Sequence, residues 1–136
     1  MSADSFLDTN ILVYAAAGRG REEQKRQRAV ELIEREEFGL SAQVLQEFYV
    51  TVTGKIATPL PTVEALEWIE AFEAFPCVPI DTQLVKLAVE ASTRYRISYW
   101  DAAILTAADI LGAKILYSED LGDGQTYGAV VVRNPF

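Results

Sequence analysis

Short apolar runs alternate with longer segments whose apolar positions recur every three to four residues. Phe6-Leu7 is the first run, and it stops at Asp8. A helix-like segment follows at once, so the pattern predicts a buried strand, a two-residue turn and a helix beginning near Asn10. Gly18-Arg19-Gly20 then breaks the periodicity, and 22–37 reads as an amphipathic helix with Ala29, Leu32 and Ile33 on its narrow apolar face. Phe38-Gly39-Leu40 is a second strand, ending at Ser41, a good cap for a helix over 42–54 with Val44, Leu45, Phe48 and Val52 on its stripe. Pro61 and Thr62 open another helix, whose Val63, Leu66, Ile69 and Phe72 read as packing surface. The proline-flanked 76–81 predicts a short strand near a sheet edge. Asp81 or Thr82 caps the helix carrying Leu84, Leu87, Ala88 and Ala91, which ends near Arg94-Tyr95-Arg96.

The segment after Ser98 differs from the other helices. Ala102, Ala103, Ile104, Leu105, Ala107 and Ala108 make it apolar nearly all round, as expected of a helix buried on most sides. Asp101 lies three residues after Ser98, a spacing that resembles a capping box with Asp in the usual Glu position. Trp100 reads as core. Gly112 closes the helix, 114–117 is a strand ending in Ser118-Glu119-Asp120, and 129–132 is the last strand. Strands and helices alternate throughout. The expected fold is α/β, with a mainly parallel central sheet between helices on both faces.

The length of 136 residues suits one domain, 1–136, with a real core. No N-terminal basic region precedes an apolar run, and no segment approaches the roughly 20 apolar residues of a membrane span, so neither a signal peptide nor a membrane location is expected. Cys77 is the single cysteine; it forms no internal disulfide, and the chain suits a reducing cytoplasm.

Two features of composition narrow the chemistry. The chain has no histidine, which excludes Ser-His and Cys-His nucleophile pairs and the usual zinc ligands. Any acid–base or metal chemistry must therefore run on carboxylates, which with water favour hard cations such as Mg²⁺ or Mn²⁺. The net charge of −8 argues against passive binding of nucleic acid, although five of the 12 basic residues cluster as Arg19, Arg21, Lys25, Arg26 and Arg28. That cluster, with Arg94 and Arg96, supplies candidate phosphate contacts; a solvated helix face explains it equally well.

Four carboxylates stand out by position. Asp8 and Asp120 follow strands, and Glu47 and Asp101 lie near the starts of helices. In a parallel sheet such positions share the rim where ligands bind. Each also has a local explanation: Asp8 or Asn10 as a helix cap, Asp101 as part of a capping box, Glu47 as an exposed surface acid. Gathered in one cleft, the four would repel one another unless a divalent cation neutralised them. One or two such ions could activate a water and brace a phosphodiester. A phosphatase using Asp8 as nucleophile is a second reading, weakened by Asn10 where a second Asp is usual. A binding module with a vestigial acidic cleft is a third.

The segments Phe6-Leu7-Asp8-Thr9-Asn10-Ile11-Leu12, 41–48, Ser98-Tyr99-Trp100-Asp101-Ala102-Ala103-Ile104 and Tyr117-Ser118-Glu119-Asp120-Leu121 resemble the successive motifs of PIN-domain ribonucleases, and among them the VapC toxins of bacterial toxin–antitoxin pairs. The resemblance extends over nearly the whole chain. It implies a three-layer α/β/α sandwich, Mg²⁺- or Mn²⁺-dependent endonucleolytic cleavage of RNA, a homodimer, and a cognate antitoxin that covers the cleft. It further implies that Asp8, Glu47, Asp101 and Asp120 are the catalytic and metal-binding acids, with Ser118 and Asn10 as accompanying polar residues. It assigns no part to Glu119 or Asp123.

Overall fold

The computed structural model describes residues 1–136. In chain order its elements are β1 (Ser5–Leu7), α1 (Thr9–Ala17), α2 (Glu23–Arg35), β2 (Phe38–Ser41), α3 (Ala42–Gly54), α4 (Thr62–Phe72), β3 (Cys77–Val78), α5 (Thr82–Tyr95), α6 (Tyr99–Ile110), β4 (Ile115–Tyr117), β5 (Thr126–Tyr127) and β6 (Val130–Arg133). A 3-10 turn, Gly20–Glu22, precedes α2. The strands form one sheet in the order β3-β2-β1-β4-β6-β5. All pairings are parallel except β5 with β6. Together with the helices on its two faces, this is a three-layer α/β/α sandwich.

The order of the strands locates the site. From β1 the chain steps outward to β2 and then β3, and β4 returns to the other side of β1. The connections leaving β1 and β4 therefore diverge, opening a crevice beyond their carboxyl ends. Asp8 follows β1 directly, and Ser118 follows β4 directly.

The core is continuous through the sheet, with Phe6, Leu7, Leu40, Leu116 and Val132 of the strands packed against Ile11, Leu12, Val44, Phe48 and Leu105 of the helices. Residues 102–108 of α6 are buried without interruption, as their all-round apolarity requires. Close packing also explains Gly39: a Cβ there would lie 2.4 Å from Leu111 Cδ1 and 3.0 Å from the Pro76 carbonyl oxygen. A side chain there would have to displace Leu111 and crowd the Pro76 carbonyl.

Several expectations are corrected. Helix α1 starts at Thr9, with Asp8 as its cap and no intervening turn. The segment read as one helix over 22–37 is a 3-10 turn followed by α2 over Glu23–Arg35. Hairpin strand β5 was not expected, because its two residues carry no periodicity. Val63 and Leu66 are exposed at 69% and 50%, so only Ala65 and Phe72 of α4 are fully buried. Trp100 is 64% exposed rather than core. It lies in the first turn of α6, before the buried face begins at Ala102, and its ring meets that of Tyr99 edge-on at 5.1 Å.

Candidate functional site

Asp8 is the buried centre of the rim. It is only 6% exposed, and its two carboxylate oxygens are divided between the flanking elements. Oδ1 accepts from the Thr9 backbone N–H at 2.7 Å, which caps α1. Oδ2 accepts from Ser118 Oγ at 2.7 Å, which ties the end of β1 to the end of β4. The capping reading of Asp8 is therefore observed through one oxygen, and the second oxygen is turned to the end of β4. Burial is the main cause that raises its pKa from 3.8 to about 6. The bonds from Ser118 and Thr9 oppose the rise, while the charges of Asp120 and Glu47 add to it.

Those charges show which acids the fold brings together. Glu47 reaches the rim from the second turn of α3. Its Oε1 accepts from Thr9 Oγ1 at 2.7 Å and its Oε2 from Gln43 Nε2 at 3.3 Å. Asp120 is exposed, and its Oδ2 accepts from Asn10 Nδ2 at 3.1 Å. Its backbone N–H donates to Ser118 Oγ at 3.1 Å, so one hydroxyl orients both Asp8 and the Asp120 turn. Asn10 closes the loop, its Oδ1 accepting from the Glu119 N–H at 3.4 Å.

Asp101 stands apart from this trio. It lies in the first turn of α6, half-buried, where the positive end of the helix dipole favours a carboxylate. Ser98 Oγ accepts from the Asp101 N–H at 3.1 Å, so the capping half of the expected motif is present. Its link to the rim runs through Gln43, whose buried Nε2 donates both to Glu47 and, at 3.2 Å, to the Trp100 carbonyl oxygen. No three carboxylates lie close enough together to clasp one ion among themselves. Asp8, Glu47 and Asp120 are each held by neutral donors.

The donor set nevertheless suits a hard cation. It is entirely oxygen: carboxylates of Asp8, Glu47, Asp101 and Asp120, with hydroxyls of Thr9 and Ser118 beside them. A small divalent ion usually retains several waters and uses only one or two carboxylates directly, so a closed protein cage is not required. A buried acid held near a pKa of 6 by burial and two like charges gains most from a neighbouring positive charge.

The two unassigned acids turn out to be structural ties. Asp123 Oδ1 accepts from the Asn134 N–H at 2.9 Å, anchoring the tail. Glu119 is tied to α1 and α2, accepting from Lys25 Nζ at 2.9 Å and from the Tyr14 hydroxyl. The basic cluster is likewise partly engaged: Lys25 with Glu119, Arg26 with Glu23, and Arg28 with Glu31.

Beside the rim, α1 and α3 enclose a cleft of about 560 Å³ whose lining includes Glu47, Asp120, Thr9 and Asn10. Two contributors escaped the sequence reading. Gln43 looked like an ordinary polar helix residue, and its only signal was lying one turn before Glu47. Lys55, at the far end of α3, is the one basic residue lining the cleft.

Comparison with solved structures gives the same architecture. A toxin–antitoxin complex from Klebsiella pneumoniae matches with a TM-score of 0.72 at 19% identity, covering 97% of this chain and 98% of that one. VapC20 of Mycobacterium tuberculosis, described as a toxin that cleaves the sarcin–ricin loop, matches with a TM-score of 0.66 at 18% identity over 85% and 89% of the two chains. DNA-bound VapBC from Salmonella typhimurium matches with a TM-score of 0.64 at 17% identity, covering 98% of each chain. No curated protein matches by sequence. The PIN domain family model matches residues 5–122, from the first residue of β1 to just past the Asp120 turn. By that match, the chain belongs to the PIN domain family.

Proposed function

We propose that this protein is a Mg²⁺- or Mn²⁺-dependent endoribonuclease, the toxin of a type II toxin–antitoxin pair. The observation that carries the reading is the convergence of Asp8, Glu47 and Asp120 at the β1/β4 switch point, with the charges of the latter two acting on a buried Asp8. Asp8, Glu47, Asp101 and Asp120 would hold the metal. The bound ion would supply Lewis-acid polarisation of the phosphate and a more acidic water. The protein's own share is positional. Ser118 and Thr9 hold Asp8 and Glu47 facing the crevice, and Asn10 holds Asp120. With no histidine in the chain, the carboxylates are the groups able to accept the proton of an attacking water.

The toxin assignment is supported by the fold shared with toxins crystallised with their antitoxins. A cognate antitoxin covering the cleft and a homodimer in the cytoplasm complete the proposal. No helix of the protein is long and apolar enough to cross a membrane. Neither alternative reading gains support. The Asp8 oxygens are both engaged within a buried turn, which does not suit an attacking nucleophile. All four acids are present, which does not suit a decayed site.

The test is cleavage of end-labelled structured RNA by antitoxin-free protein, with Mg²⁺, with Mn²⁺ and with chelator. Cleavage should require the metal and fall by about a hundredfold or more in Asp101→Asn, with the melting temperature little changed. Equal cleavage by that variant would remove Asp101 from the site. Cleavage that persists in chelator would refute the metal-dependent reading.

A further inference from the structure

Helix α3 carries more of the cleft than its glutamate. Glu47, Thr51 and Lys55 follow one another at intervals of four residues, so they lie along a single face, and all three line the cleft between α1 and α3. Gln46 and Val50 form a second row beside them, and Val13 and Tyr14 of α1 form the opposite wall. Among the lining residues Lys55 is the only cation, set against Glu22, Glu47 and Asp120. It is exposed and forms no ion pair, whereas Lys25, Arg26 and Arg28 are paired with carboxylates. An unpaired lysine at the end of an otherwise acidic cleft is suited to a polyanion that must pass those acids. Eight residues of helix separate it from Glu47, a rise of about 12 Å. That span is too long for Lys55 to touch the phosphate being cleaved, and it equals a few nucleotides of extended strand.

We infer that the cleft along α3 holds the single-stranded segment of RNA next to the cleaved bond, with Lys55 contacting a backbone phosphate a few nucleotides away. The inference rests on the nuclease reading above and adds the path of the strand to it. Val13 and Val50 give the flanking nucleotide apolar contact, and Asn10, Gln46 and Thr51 offer amides and hydroxyls to base edges or sugar. Lys55 also closes α3, its N–H donating to the Thr51 carbonyl oxygen at 2.9 Å, where a positive charge complements the helix dipole. A purely structural lysine would affect stability and leave RNA binding alone, so the two roles separate by experiment.

Binding of a cleavable RNA is measured by fluorescence anisotropy across a salt series, in the Asp101→Asn background with chelator present to suppress turnover. Lys55→Met should weaken binding about fivefold at low salt and flatten the slope of log affinity against log salt by about 0.7, the value for one lost contact to a single strand. Lys86→Met, a loss of equal charge at an exposed site on α5, should change neither. In otherwise wild-type protein, Lys55→Met should raise KM about fivefold and leave kcat within twofold. Shortening the RNA on one side of the cut should erase the difference between wild type and Lys55→Met, and that side is the one lying along α3. Matching slopes and KM values in Lys55→Met and wild type would overturn the strand path and leave the cleft to a protein partner. An equal loss in Lys86→Met would overturn it too, showing only a general charge effect. If the wild-type protein cleaves no RNA with either metal, the nuclease reading fails and this inference goes with it. If it cleaves and Lys55→Met matches it, only the strand path fails.

Discussion

Asp8 and Glu119 lie within a few residues of the same two strand ends, yet the protein treats their charges in opposite ways. At the rim, Asp8, Glu47 and Asp120 accept hydrogen bonds from Thr9, Gln43, Asn10 and Ser118, all neutral donors. One step outward, Glu119 receives a lysine and a tyrosine hydroxyl. Burial raises the Glu119 carboxyl, but the bonds from Tyr14 and Lys25 outweigh it and hold the group below the usual carboxylate range. Burial of Asp8 meets no such cation, and its carboxyl rises to about 6. Neutral donors orient a carboxylate without cancelling its charge, whereas a lysine cancels it. The lysine that reaches these strand ends, Lys25, pairs with Glu119. The uncompensated charge at the rim is therefore a property of the arrangement, of the kind expected where stability is traded for chemistry.

The contrast can be broken most directly by removing one acid from each side of it. Glu47→Gln should reduce metal-dependent cleavage by a hundredfold or more, whereas Glu119→Gln should change it by less than about tenfold. Equal losses in single-turnover assays would erase the distinction between rim and tie.

Stability gives the next largest effect. The folded-state pKa of Asp8 lies above its ordinary value of 3.8, so the native state binds the proton more tightly than the unfolded chain does. Its contribution is fully present below about pH 4 and is lost as pH rises towards 6 and beyond, at most about 3 kcal/mol. Asp8→Asn should therefore stabilise the metal-free protein by about 2 kcal/mol at pH 7.5 and by little at pH 4. Urea unfolding at the two pH values checks this, and a variant less stable than wild type at pH 7.5 would contradict it.

Ser118→Ala removes a fully buried hydroxyl that serves both Asp8 and the Asp120 N–H. It should cost about 1–2 kcal/mol and raise the Asp8 pKa further, readable by carboxyl-carbon NMR titration. The smallest effect belongs to the tie itself. Lys25 is 40% exposed, so Lys25→Met should cost less than about 1 kcal/mol at low salt, and the difference should shrink as salt is added.

The legible part of the site was the part encoded by position relative to local elements. Asp8 after an apolar pair, Ser41 before a helical stripe and Ser98 three residues before Asp101 each announced a strand end or a helix start, and each does cap its helix. The roles of Gln43, Glu119 and Asp123 were not legible, because each depends on a partner outside its own element. Glu119 meets a lysine 94 residues away, and Gln43 meets a backbone carbonyl 57 residues away. Trp100 departs from expectation because apolarity alone does not secure burial: it precedes the buried run of α6, which begins at Ala102.

By itself the sequence determined the alternation of strands and helices, the all-round burial of α6, the absence of histidine and cysteine chemistry, and the four acids placed at element ends. These are consequences of periodicity and composition, which act over a few turns of chain. Only the tertiary structure decided that β4 lies beside β1, and hence that Asp8 and Asp120 share a crevice. It also decided which carboxylates receive a cation and which keep their charge. Strand order and charge pairing depend on which elements pack together, and no local pattern carries that information.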